Sequence, residues 1–442
     1  MKKLLTIFIC VAGLIACKTT TTTPSAYAEN VSKLTSLLDS TDLGANYNGS
    51  LLIADGENIL LEKSYGITAL NKQPNQINSA YDIASMGKMF TAVAILQLIE
   101  NNQLSLEQKI GDVLPHYPNE EAKGITVKQL LSHVSGLGDY FGPEFDKNKD
   151  AIKTLKDYLP FFVNDPLEFT PGERMRYSNA GYIVLGLMIE EISGAEYNAH
   201  IKKNILQPAE MTTTGPLSSS AGGGPSTVHD FHKFALALKR NTLIDQKSFS
   251  VMTTDHFGNG YGYGMSLRDV NGKHLYGHNG GAPGVSGELD MVMDEDLIII
   301  TLSNRSPMEG WAQVRTHIRN EFFGSTPEIA QFLNTEQVVK VYKEQGYEKA
   351  SELLTKLNNN ISDRNTFGFA EQYANEGKLD KAIDILKLIV QAYADQWHPY
   401  SFLADFQLQA GHKEEAIANY KRSLELNPQN QQALEQLQKL GQ

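Results

Sequence analysis

The chain has 442 residues, 41% of them hydrophobic and 20% charged. That is enough apolar material for two or three cored domains, and it excludes wholesale disorder. Acidic residues outnumber basic ones by 51 to 39, for a net charge of −12; this balance excludes a broad basic face for a phosphate backbone, so nucleic acid is not an expected partner.

The chain opens with Lys2 and Lys3, an almost wholly apolar stretch from Leu4 to Ile15, and then Ala16-Cys17. A charged start, a short apolar run and a cysteine directly after a small residue resemble a bacterial lipoprotein signal. The resemblance implies removal of residues 1–16, lipidation of Cys17 and attachment to the membrane through that lipid. An ordinary secretory signal or a short anchor helix is the plainer alternative. Lys18, rather than aspartate, follows the cysteine, so sorting to the outer membrane or the periplasmic face is the expectation. Cys10 and Cys17 are the two cysteines; the processed chain would hold no disulfide and no free thiol, which suits an oxidising envelope compartment. Five threonines, Thr19 to Thr23, and Pro24 make residues 17–29 read as a polar tether.

A globular region starts near residue 30. Val31 to Leu38 has helical spacing. Gly49 to Ala54 and Asn58 to Lys63 read as a hairpin around Asp55-Gly56. Met86 to Asn101 is a strongly apolar helix, and residues 104–250 alternate helices with Gly- and Pro-broken loops. Strands return between 260 and 304, with Glu288–Met293 and Leu297–Leu302 flanking a turn at 294–296. Pro307 to Phe323 closes the region as a helix. Strands at both ends with helices between them predict an α/β (α+β) domain over 30–325: an antiparallel sheet flanked by helices, with an inserted helical subdomain. Gly324-Ser-Thr-Pro327 reads as a linker.

From 326 to 442 the pattern is all-α and contains a repeat. Ala370, Gly377 and Ala382 recur as Ala404, Gly411 and Ala416, each 34 residues later. This resembles the tetratricopeptide repeat, a helix pair whose small residues allow close packing. Pro428 falls where that repeat breaks; Pro399 comes late in the first unit, which predicts a longer loop there. An earlier, degenerate unit centres on Gly346 and Ala350. A generic helical bundle with chance register is the alternative. Two clear units are fewer than the roughly three that independent stability needs, so this region is expected to lean on the first domain and to offer a surface to a protein partner.

Three motifs carry chemistry. Ser85-Met-Gly-Lys88 opens the apolar helix, and residues three apart share a helix face, so Lys88 can reach Ser85. The helix N-terminus and burial both disfavour a protonated amine, and a neutral amine beside a hydroxyl is a base beside a nucleophile. A Ser N-cap with a solvated lysine is the plainer reading. Tyr-x-Asn occurs three times, at Tyr117, Tyr177 and Tyr373. Tyr177 and Asn179 lie on a loop at a helix entrance and are the functional candidates; the other two read as structural. Gly277-His278-Asn279-Gly280-Gly281 lies just before the returning strands, where small residues let backbone approach a ligand.

Together these motifs resemble the serine β-lactamase and penicillin-binding protein superfamily, most closely its class C β-lactamase-like hydrolases, over about residues 30–325. Ile125–Leu137, Pro171-Gly-Glu and Gly222–Thr227 read in the same style. The resemblance implies Ser85 as the acylated nucleophile, with Lys88 and Tyr177 sharing the proton transfers. It gives Asn179 the substrate amide or the Lys88 side chain, and it makes the N–H groups of Ser85 and Gly281 the oxyanion donors. His278 and Gly280 complete the substrate-binding set, with no metal and no cofactor.

His278 stands where β-lactamases usually carry lysine. Histidine, with a pKa of ~6.5, is largely neutral at pH 7, which favours a peptidase, amidase or esterase over an efficient β-lactamase. It also predicts a preference for anionic substrates that fades as pH rises through the His278 pKa. His229 and His232 read as structural rather than as a metal pair, and His133 as a loop brace. The leading expectation is an envelope serine hydrolase acting through a Ser85 acyl-enzyme on an amide or ester: a D-amino-acid peptide, a peptidoglycan-type peptide or a small ester. The alternatives are a sensor that acylates without turnover and a partner-docking scaffold built around the repeat.

Overall fold

Leu51-Leu-Ile-Ala54 and Leu297-Ile-Ile-Ile300 are apolar at consecutive positions, a pattern that fits a strand only when both of its faces are covered. The computed structural model, which describes residues 26–69 and 71–441, has that arrangement. The leader, Cys17 and most of the expected tether lie outside the described residues.

Six strands form an antiparallel sheet: β1 (Gly49–Asp55), β2 (Asn58–Ser64), β5 (Ser266–Val270), β6 (Lys273–Ala282), β7 (Val285–Val292) and β8 (Leu297–Ser303). Their spatial order is β2-β1-β8-β7-β6-β5. Two short strands, β3 (Tyr81–Asp82) and β4 (Pro225–Ser226), pair separately. Asp55 pairs with Asn58, so the hairpin turn is Gly56-Glu57, and Gly56 takes φ +59°. The glycine-rich segment 277–281 lies inside β6, not before the strands as its composition suggests.

The long helices of this unit are α1 (Ala28–Ser40), α2 (Lys88–Glu100), α3 (Asn179–Ser193), α4 (Val228–Lys239) and α5 (Ala312–Phe323). Leu51, Ile53, Leu297 and Ile299 pack with Leu34 and Leu38 of α1 and Val314 and Ile318 of α5. Leu52, Ala54, Ile298 and Ile300 belong to the opposite core, with Phe90 of α2 and Phe231 and Phe234 of α4. α2 and α3 are buried along most of their length, as expected of helices apolar on every side. α3 starts where Ser178 Oγ accepts the Gly181 N–H at 3.1 Å and stops at Gly194, φ +66°.

The C-terminal region is all helical: α6 (Pro327–Gln345), α7 (Tyr347–Lys356), α8 (Asp363–Asn375), α9 (Leu379–Ala392), α10 (His398–Gln409), α11 (Lys413–Leu426) and α12 (Gln431–Lys439). The recurring residues are interhelical: Ala370, Ala382, Ala404 and Ala416 are fully buried. Gly377 and Gly411 turn the chain between α8 and α9 and between α10 and α11 with φ +74° and +84°. Pro399 sits in the first turn of α10. The region touches the sheet unit through His317 and Glu336 (2.8 Å) and through Met308 lying against Gly368, and Asn271 Nδ2 donates to Ser325 O of the linker (3.1 Å).

Candidate active site

Ser85 lies in one turn of 3₁₀-helix, Ala84–Gly87, that runs directly into α2. Ala84, just before it, takes φ +42°, an uncommon conformation for a residue with a side chain. Two bonds to the loop near β4 brace it: Ile83 N–H to Gly224 O at 3.0 Å and Gly223 N–H to Ala84 O at 2.8 Å. A Cβ on Gly222 would meet Ala84 O at 2.0 Å, so this approach requires glycine.

One helical turn on, Lys88 is fully buried. Its Nζ lies 2.7 Å from Asn179 Oδ1, 2.7 Å from Ala221 O and 3.1 Å from Ser85 Oγ. Both carbonyl oxygens can only accept. A neutral amine donates its two N–H bonds to them and turns its lone pair to the Ser85 hydroxyl. Burial lowers the Lys88 pKa to about 7, with Asp139 acting in the opposite direction. Ala221 is fixed by its loop: Thr91 Oγ1 donates to Ser220 O at 2.7 Å.

Asn179 is the first residue of α3, and its amide is held from behind. Asp139 Oδ2 accepts from Asn179 Nδ2 at 2.9 Å and from its backbone N–H at 3.1 Å. Tyr177 hydrogen-bonds Ser85 and keeps 36% of its surface open at the cleft, but loss of water around it above all, and then the Asp139 charge, raise its phenol above the ordinary tyrosine pKa. It is therefore a neutral hydroxyl at pH 7. The His133 ring packs 4.1 Å from the Tyr177 ring, and His133 Nδ1 accepts the Ser178 N–H at 3.1 Å.

His278 is 2% exposed. Its Nε2 lies 2.9 Å from Tyr261 Oη and its Nδ1 2.5 Å from Asn279 O. Burial, reinforced by the Lys88 charge, lowers its pKa to about 3. This corrects the expected titration: the imidazole is already neutral throughout pH 5–8, so it gives no charge to an anionic substrate. Since a carbonyl can only accept, Nδ1 carries the proton and Nε2 accepts from Tyr261. Beside it, Gly280 passes so close to the nucleophile turn that a Cβ would meet Ile83 O at 2.3 Å.

Ser85, Tyr177, His278 and Gly281 line one open cleft of about 630 Å³, together with Met175, Tyr261, Ser266, Asn279, Ala282, Pro283, Ser306 and Pro307. Lys88 and Asn179 lie beneath its floor. Tyr117 is buried elsewhere, and Tyr373 packs near Tyr342 in the C-terminal region. His229 pairs with Glu62, and His232 with Gly56 O. Sequence reasoning missed Asp139, Tyr261 and the Ala221 carbonyl. Asp139 stands two residues beyond the family-style stretch 125–137, and nothing in the sequence ties it to Asn179, 40 residues on.

A model of the beta-lactamase family matches residues 43–321. Penicillin-binding protein 4* of Bacillus subtilis is 31% identical over 313 residues, which is 59% of this chain and 68% of that protein. The crystal structure of a penicillin-binding protein from Bacillus halodurans is 29% identical, covers 63% of this chain and 98% of its own, and gives a TM-score of 0.57. A D-stereospecific amidohydrolase from Streptomyces sp. shares the fold at 22% identity, with a TM-score of 0.56 over 68% of this chain and 99% of that one. The matched span begins before β1, runs into α5 and encloses Ser85, Lys88, Tyr177 and His278, and on that ground the chain belongs to the beta-lactamase family of serine hydrolases.

Proposed function

We propose that the protein hydrolyses an amide or ester through an acyl-enzyme on Ser85. The observation that carries this is the buried Lys88 amine, with two N–H bonds committed to Asn179 Oδ1 and Ala221 O and its third position facing Ser85 Oγ. Lys88 takes the Ser85 proton as Oγ attacks the substrate carbonyl. The N–H groups of Ser85 and Gly281 receive the oxyanion, a contribution typically worth on the order of 10²–10³ in turnover per donor. The bond to the leaving group breaks, and that group departs with a proton relayed from Lys88 through the neutral Tyr177 hydroxyl. Water then attacks the acyl carbon and gives up its proton by the reverse route; Ser85 is restored and the carboxylic acid released.

Among the described residues that line the cleft, none carries a cation. This supports a substrate with no carboxylate next to the scissile bond, such as an aminoacyl amide, a D-amino-acid peptide cut away from its C-terminus or a small ester, rather than a β-lactam. The amidohydrolase relative, whose name specifies D-stereochemistry, supports the D-configuration. The leader and Cys17 support a lipid-anchored place in the bacterial envelope. The buried alanines and turn glycines at a 34-residue period support tetratricopeptide-like units that dock a protein partner.

The test is intact-protein mass after mixing wild type and Ser85→Ala with a small activated ester, quenched over time. A transient acyl adduct on wild type alone, decaying with product release, is expected. A persistent adduct would replace hydrolysis with sensing, and no adduct on wild type would overturn the proposal.

A further inference from the structure

We propose that Asp139 is a positioning residue of this site, acting through Asn179 to aim the Lys88 amine at Ser85. The inference rests on the Ser85 acyl-enzyme reading above. A carboxylate can only accept hydrogen bonds, so the edge of the Asn179 amide that faces Asp139 must be its NH₂ group. That choice turns Oδ1 toward Lys88 at 2.7 Å. Rotating the amide by half a turn would set Oδ1 against the carboxylate and an N–H against the Lys88 donors, replacing two attractive contacts with two repulsive ones. With Oδ1 fixed, one Lys88 N–H is held away from Ser85 and the lone pair stays directed at Oγ.

The same carboxylate also acts on the charge of the amine, against the larger effect of burial. The groups that face Lys88 are Asp139 from the loop before residue 140, Tyr177 and Tyr182 at the start of α3, His133, and His278 on β6. Burial keeps both histidines neutral near pH 7, and both phenols are neutral there at any pKa of 10 or above, which leaves Asp139 as the carboxylate of the set. Its charge favours the protonated amine, so removing it must lower the pH at which Lys88 becomes a base. A plain cap on the first N–H of α3 would exert the same charge effect, but its loss would leave kcat of the folded protein unchanged above the acid limb; positioning through Asn179 is what kcat reports.

The experiment follows kcat/KM against pH for p-nitrophenyl acetate with the full chain, as wild type, Asp139→Ala and Asp139→Asn, alongside the mass of the Ser85 adduct. Asp139→Ala frees the Asn179 amide, and kcat is expected to fall by ~10²-fold, as for a misaimed catalytic group. Asp139→Asn can still present an oxygen to Asn179. It should retain most of the wild-type kcat while its acid limb moves down by roughly one pH unit. Wild-type kcat above the acid limb in Asp139→Ala, with Ser85 still acylated, would overturn this inference alone, whether or not the limb moves. Should Asp139→Ala not fold, an unmoved limb in Asp139→Asn overturns it equally. Failure of wild type to acylate at Ser85 overturns the functional reading and this inference together.

Discussion

The sheet unit and the C-terminal helices bury different things. Behind its cleft the sheet unit buries an amine, two imidazoles and several phenols: Lys88, His133 and His278 are all within 2% of full burial, as is Tyr182. The C-terminal helices bury alanines where they cross, and turn at glycines. Burying polar groups is costly unless each has a partner. In the sheet unit Lys88 takes its partners from distant segments, while His133 Nε2 has no hydrogen-bond partner among the described residues. In the helical region the buried polar groups are uncharged and close on one another, as Asn430 does on Ser401 and Ser423, and small side chains let the helices meet. Activity should therefore depend on single polar atoms in one half, and stability on single methyl groups in the other.

Lys88→Met should separate these most sharply. It removes the base while keeping an unbranched side chain, and ester turnover should fall by ~10⁴-fold or more. A steady-state assay that finds residual activity above that level would move the base elsewhere. Next in size is the response to pH. Only the neutral amine accepts a proton from Ser85, so kcat/KM should rise through the Lys88 pKa of about 7 and fall about tenfold per unit below it. Because His278 is already neutral, the ratio of anionic to neutral ester turnover should stay within about twofold from pH 5 to 8. A ratio that climbs toward pH 5 would show a charged imidazole and reopen the cleft to anionic substrates. The smallest effect belongs to the other half. Ala404→Leu overfills a fully buried contact in α10, which should destabilise the helical region by ~1–3 kcal/mol in a thermal melt. Small-ester turnover should not change; a loss of turnover would mean that the two halves are coupled.

Much of the site was legible because its residues come in short, chemically loaded strings. Ser85 and Lys88 share a helical turn, and Tyr177 and Asn179 share a loop, so spacing alone brings each pair together. The strands were legible where consecutive apolar residues met an Asp-Gly turn. What remained hidden depends on long-range contact. The Ala221 carbonyl that fixes Lys88 is 133 residues away and carries no side-chain signal. Asp139 meets Asn179 only because the loop after residue 137 folds over the start of α3. His278 was rightly read as neutral at pH 7, but its response to pH was misjudged because burial, which sequence does not report, outweighs the intrinsic pKa of an imidazole. Cys17 and the leader lie outside the described residues, and their roles rest on the sequence pattern alone.

The closed hydrogen bonding of His278 also constrains where this lineage can go. Both ring nitrogens are committed, one to Asn279 O and one to Tyr261 Oη, in a space shared with Lys88. A lysine at position 278, as β-lactamases usually carry, offers only donors, so the proton that Tyr261 now gives to Nε2 would have to turn elsewhere and the contact to Asn279 O would have to be rebuilt. A change of charge at this point of the cleft therefore involves β6 and the segment around Tyr261 together rather than position 278 alone.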